Sequence, residues 1–244
     1  MSADPALRIA PLDWDTRFFG FAIGALTLEG VPPAPAIRAA ADAARARAFR
    51  LLVVSDAADG SGAVLASLGA RRVDTKVDFA AAVRPATLPR GIKAIPAAPA
   101  PADREALDAL ALASGAHSRF RTDPRFGEAA WTRLYRAWMD NSVSGTVADA
   151  VLVHRDAGRI TGLATIRACG NREARIGLLA VAADRRGRGI GAALIDAVHR
   201  WASDRDLRTI LVATQQDNAG ACRFYQGTGF EVSARLAIHH LWLD

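Results

Sequence analysis

Ile176-Gly-Leu-Leu-Ala-Val-Ala-Ala-Asp-Arg-Arg-Gly-Arg-Gly-Ile-Gly-Ala-Ala-Leu-Ile195 is the stretch whose reading decides the fold. Its first part, Ile176 to Ala182, is an apolar run of the kind expected for a strand buried on both faces. A charged turn from Asp184 to Arg188 follows, with glycines at 187, 189 and 191. Beyond it Ile190, Leu194, Ile195, Val198 and Trp201 recur at helical spacing. The order is strand, glycine-rich loop, helix N-terminus. Such a junction aims unpaired backbone N–H groups and the positive end of the helix dipole at whatever lies above it. With three arginines close by, the chemistry is that of an oxyanion site suited to phosphate. A tight turn that uses glycine for geometry alone is the competing reading.

Two common phosphate loops do not fit. A Walker loop ends in Gly-Lys-Ser/Thr, and the chain contains no such triplet. The dinucleotide fingerprint needs Gly-x-Gly-x-x-Gly, whereas the spacing here is Gly187-x-Gly189-x-Gly191. About thirty residues on comes a second motif, Asn218-Ala-Gly-Ala-Cys-Arg-Phe-Tyr-Gln-Gly-Thr-Gly-Phe230, after the apolar strand Thr209 to Thr214. Asn218 is placed to cap a short helix, and Tyr225 lies two turns along the same face.

Arg186-x-x-Gly189-x-Gly191 followed by this Asn-to-Tyr segment resembles the GCN5-related N-acetyltransferases (GNAT). The resemblance implies the α/β acyl-CoA N-acyltransferase fold, a mixed central sheet with flanking helices, over residues 86–244. It implies acetyl-CoA as co-substrate and no metal. It assigns Leu179, Ala180 and Val181 to the pantetheine arm and thioester. Arg186, Gly187, Arg188, Gly189, Ile190, Gly191 and Ala192 go to the pyrophosphate, with Asn218 also on the cofactor side. Tyr225, one of only two tyrosines, takes the position of the general acid that protonates the departing thiolate. An ordinary phenol, with a pKa near 10, holds its proton at neutral pH. No glutamate lies within Ile176 to Val181; Glu173 near the start of that strand and a water-relayed path remain open as the route for the amine proton.

Further segments extend the likeness. Leu12-Asp-Trp-Asp-x-x-Phe-Phe-Gly20, Ser118-Arg-Phe-Arg121, Arg175-Ile-Gly-Leu-Leu-Ala180 and Val212-Ala-Thr-Gln215 resemble the family members that acetylate a TDP-linked 4-amino-4,6-dideoxy sugar. That branch carries a partial N-terminal domain and is dimeric, so the resemblance implies a homodimer and an amino-sugar nucleotide as partner. Ser118, Arg119, Phe120 and Arg121 are then candidates for the acceptor site: arginines suit a diphosphate, and Phe120 or an N-terminal aromatic can stack on a base. Pairing of Arg119 and Arg121 with Asp123 or surface carboxylates is the alternative. Other small-molecule or protein amines, and a non-catalytic acyl-CoA sensor, are the competing functions.

Composition sets the outer bounds. The chain has 244 residues, half of them hydrophobic, enough for one large domain or two small ones. The net charge is +6 and the pI about 10.3, almost all of it from arginine. Basic residues are dispersed and no aromatic-rich basic stripe occurs, which argues against nucleic acid. Cys169 and Cys222 have no metal-site spacing, and His239 and His240 point to opposite faces of one strand. The N-terminus lacks a signal-peptide pattern and no apolar run is long enough to span a membrane, so a cytoplasmic location is expected.

The chain order then gives the domains. Strands are expected near 7–12, 21–28, 51–54 and 72–83, with helices over 36–49 and 61–68, forming a smaller α/β N-terminal domain over 1–85. The aromatic segment from Leu12 to Phe21 is read as a plug closing its core. A proline-rich link from Pro85 to Pro101 leads to helices over 102–113, with Asp103 as its cap, and 128–141. Between them 114–125 reads as a polar loop. A hairpin over 150–168 precedes the opening stretch, and 230–243 closes the chain as one or two strands.

Overall fold

The structure, a computed structural model, describes residues 7–243. In chain order its first half runs β1 (Ile9–Pro11), α1 (Asp13–Phe19), β2 (Ile23–Leu28), α2 (Ala34–Ala46), β3 (Leu51–Asp56), α3 (Gly62–Ser67), β4 (Arg71–Ala82) and β5 (Ile92–Ala94). Next come α4 (Pro101–Ser114), α5 (Arg119–Thr122), α6 (Gly127–Val143), β6 (Ala150–Asp156) and β7 (Arg159–Cys169). The last elements are β8 (Glu173–Val181), α7 (Ile190–Ser203), β9 (Thr209–Gln215), α8 (Ala219–Gly227) and β10 (Glu231–Trp242).

Two compact units result. Of the described residues, one comprises 7–77, Gln215–Asp217 and 234–243; the other comprises Asp78–Thr214 and Asn218–Ser233. This differs from a division at residue 85. The cause is the last strand: Ala237 to Trp242 pair antiparallel with Asp56 to Leu51, so the C-terminal segment completes the first unit. A strand that fills an open sheet edge satisfies its own backbone and its neighbour's at once.

In the first unit the strand order is β1-β2-β3-β10, with β2 and β3 parallel. Helix α2 presses Ile37, Ala40, Ala41 and Ala44 onto Leu26, Leu28, Leu52 and Val54. Leu12 to Phe21 is not a core plug. Asp13–Phe19 forms a helix with no fully buried residue. Its rings stack on one another, Trp14 on Phe18 with centroids 5.0 Å apart, and the series runs through Phe19 to Phe21 and Trp242.

The second unit holds β9-β8-β7-β6-β5, antiparallel except where β8 meets β9. This is the expected mixed sheet with flanking helices. Strand β7 is its deepest, buried without a break from Ile160 to Ile166. Asp103 lies in the first turn of α4 but does not cap it. Its carboxylate instead takes both terminal nitrogens of Arg155, at 2.7 and 2.6 Å. That bidentate pair, more than any other effect, holds the Asp103 carboxyl below its ordinary pKa. Residues 114–125 are not a simple polar loop, because α5 sits within them and buries Phe120.

Candidate functional site

The site begins where two strands part. β8 pairs with β9 only from Glu173 to Ile176. On its other side β8 follows β7 to Val181, with a register shift between Ala164 and Ile166. Thr165 accepts the Leu178 N–H through its Oγ1 at 2.8 Å, which stabilises the irregularity. Beyond Ile176 the strand is therefore paired along one edge and opens toward a cleft on the other. The apolar run is accordingly not buried on both faces. Ile176, Leu178 and Ala180 are buried, while Gly177, Leu179 and Val181 are more exposed.

That cleft has a volume of about 770 Å³ and lies wholly within the second unit. Leu179, Ala180 and Val181 form one wall. Arg186, Gly187, Gly189, Ile190, Gly191 and Ala192 form the rim above it, and Asn218 and Tyr225 face them from α8. Arg188 does not line the cleft and is exposed.

The glycines have separate physical reasons. Gly187 and Gly189 have φ of +74° and +78°, the left-handed region that a Cβ makes costly. Gly191 is within the first turn of α7, where a Cβ would stand 2.9 Å from the Phe224 ring. Small size at 191 thus lets α7 and α8 close together along the cleft. Gly189 is the N-cap of α7, and no side chain caps this helix. Its first N–H groups are the unsatisfied donors an oxyanion takes up. Arg186 turns its Nε back to the Val181 carbonyl at 3.3 Å. Arg185 also lines the cleft and pairs with Asp156 and Asp184.

Asn218 caps α8 as expected, its Oδ1 accepting the Ala221 N–H at 3.1 Å. Two turns on, Tyr225 is buried among Phe79, Phe224 and Phe230, with centroids 5.3 to 5.6 Å away. Burial pushes its phenol pKa far above the ordinary value of 10, so the hydroxyl keeps its proton across the neutral range.

Ser118, Arg119, Phe120 and Arg121 are not among the residues lining the cleft, whose wall on this side consists of Ala113, Ser114, Ala116 and His117. Ser118 is buried and caps α5, accepting the Phe120 N–H at 3.2 Å. Phe120 is buried against Phe126 and Trp138, so its ring is not presented for stacking on a base. The Arg119 guanidinium lies 4.4 Å over Phe120, and that of Arg121 lies 4.6 Å over Trp131. An aromatic ring gains more by leaving water than by guarding a loop.

An open strand, an uncapped glycine-rich helix start and a buried tyrosine facing it match what acetyl transfer from a phosphate-bearing thioester needs. Residues 114–230 match the acetyltransferase (GNAT) family. The chain is 35% identical to the dTDP-fucosamine acetyltransferase of Escherichia coli over 93% of this chain and 94% of that one.

This chain belongs to the GNAT family.

It is an acetyl-CoA-dependent N-acetyltransferase. A spore coat polysaccharide biosynthesis protein of Bacillus subtilis is 26% identical, over 59% of this acetyltransferase and 49% of that protein. Among solved structures, a GCN5-related N-acetyltransferase from Sphaerobacter thermophilus aligns with a TM-score of 0.63 at 19% identity, covering 98% of this chain and 77% of that one. That likeness speaks for the fold. Among the lining residues, the end of α4 with the turn after it, Ala113 to His117, belongs to no sequence motif, whereas Arg185 lies in the charged turn and Phe224 in the Asn-to-Tyr segment. Only position carried a signal for the turn: it directly precedes the Ser-Arg-Phe segment.

Proposed function

We propose that this acetyltransferase moves the acetyl group of acetyl-CoA to the amine of a nucleotide-linked 4-amino-4,6-dideoxyhexose. The supporting observation is the reach of the similarity. It takes in both compact units, whereas the family match alone spans 114–230. The B. subtilis relative, named for polysaccharide biosynthesis, is consistent with a sugar acceptor.

Within this reading the residues divide the work. The α7 N-terminus and its rim, Arg186, Gly187 and Gly189 to Ala192, hold the pyrophosphate through backbone N–H groups, and Arg186 adds positive charge. Leu179 to Val181 offer the free edge of β8 to the pantetheine arm and thioester. Tyr225 donates its proton to the leaving sulfur. A water-poor, apolar surround keeps that proton in place until negative charge develops nearby. Ser118 and Phe120 anchor the acceptor-side loop rather than touch the sugar. The chain works in the cytoplasm as a homodimer in this proposal. Cys169 and Cys222 are not joined in a disulfide, which suits a reducing compartment, and light scattering on the purified protein tests the dimer.

The test is free-thiol release from acetyl-CoA with TDP-4-amino-4,6-dideoxygalactose, its gluco epimer and a simple polyamine. Fast release with one TDP sugar is expected. Release with the polyamine alone would overturn the nucleotide-sugar acceptor and leave the acetyltransferase.

A further inference from the structure

The cleft needs a group that takes a proton from the acceptor ammonium, and its lining is selective on this point. Among the described residues no carboxylate lines it. The titratable side chains that do are Arg185, Arg186, Tyr225 and His117. The arginines stay charged at all working pH, and Tyr225, which burial keeps protonated in the resting site, has no vacancy for a further proton. Imidazole is the side chain that accepts and releases protons near neutrality. Glu173, at the far end of β8, is not among the lining residues.

His117 is also held in place. It sits in the turn between α4 and α5, exposed toward the cleft. Gly115 at the start of the turn lies under the Tyr135 ring, where a Cβ would stand 2.3 Å from the ring. The Gly115 carbonyl accepts the Trp131 indole N–H at 3.1 Å and the Ser118 N–H at 3.0 Å. Ser118 and Phe120, both buried, pin the other end. The aromatic face of α6 thus clamps a short turn whose one ionisable side chain faces the cleft.

We infer that His117 is the general base of the transfer. This rests on the reading of the cleft as the transfer site. The imidazole takes one proton from the acceptor ammonium and frees the nitrogen lone pair. The C–N bond forms at the thioester carbonyl carbon and the C–S bond breaks. The sulfur leaves with the bonding pair and takes the Tyr225 proton. The new amide nitrogen sheds its surplus proton, which restores Tyr225. The imidazolium returns its proton to water, so one proton is released per turnover.

His117→Gln and His117→Ala test this, assayed with whichever amine the wild type turns over fastest. Expected is a loss in acceptor kcat/KM of roughly a hundredfold or more near pH 7, with acetyl-CoA affinity by calorimetry within about twofold of wild type. The pH profile carries the decision. Wild-type kcat/KM should fall on the acid side, and in both variants that acid limb should give way to a rise continuing toward the pKa of the acceptor amine itself. An unchanged acid limb, or a loss matched by weakened acetyl-CoA binding, would overturn the role. Failure of the nucleotide-sugar proposal shows separately, as a flat response to TDP sugars while another amine retains the His117-dependent limb.

Discussion

Two strand–loop–helix junctions that carry paired glycines in the loop, one in each compact unit, are used in opposite ways. In the first unit β3 runs into α3 through Asp56-Ala-Ala-Asp-Gly-Ser-Gly62. The buried Asp56 carboxylate accepts the Ser61 N–H at 2.8 Å at the start of α3, and Asp59 binds Arg72 at 2.7 Å. The protein's own anion occupies the helix start. In the second unit β8 runs into α7 through a loop carrying Arg185, Arg186 and Arg188, and Gly189 leaves the helix uncapped. In the proposed function the anion there comes from the ligand. Local grammar is shared; the sign of the loop charge and the presence of an internal carboxylate separate a closed structural turn from a binding site.

That contrast can be broken most forcefully from the catalytic side. Tyr225→Phe is expected to lower kcat roughly a hundredfold or more while acetyl-CoA affinity stays near wild type. Thiol-release kinetics check it, and unchanged turnover would remove Tyr225 from the chemistry. In the closed junction, Asp56→Ala leaves the Ser61 N–H without its acceptor and is expected to cost about 1–3 kcal/mol of stability. Urea denaturation reads that loss, and the KM for acetyl-CoA should not move. If that KM rose sharply, the two junctions would not be independent.

The open junction is sharpened by reversing its charge. Arg186→Glu should raise the acetyl-CoA KM about tenfold, the equivalent of about 1.4 kcal/mol, with the penalty shrinking as salt is added. No change would leave backbone N–H groups as the whole of the anion site.

The smallest effect is one of pH and concerns a buried histidine in each unit. Desolvation lowers the pKa of His199 on α7, aided by Arg84 and opposed by Asp196. Desolvation also lowers that of His239 on β10, aided by Arg72 and opposed by Asp56 and Asp59. With folded values below the ordinary 6.5, the unfolded chain binds more protons in mildly acidic solution. Their contribution to stability is thus complete above about pH 6.5 and is lost as pH falls from there through the lowered values. The urea midpoint should be lower at pH 5 than at pH 8, and His199→Gln should flatten part of that difference.

Sequence alone was enough for the strand–glycine loop–helix order, the Asn218 cap and the helix that carries Tyr225, because these rest on local spacing. Gly187 and Gly189 announce a left-handed turn, Asn218 announces a helix start, and the periods of 2 and 3.6 announce strands and helices. Three things awaited the tertiary structure. The closing strand joined the first unit, since pairing partners far apart in the chain leave no local mark. Asp103 went to Arg155 rather than to its own helix, because a bidentate charged pair outweighs a cap. Ser118 and Phe120 turned inward and His117 outward, since only the packed face of α6 decides which side of a short turn meets the cleft.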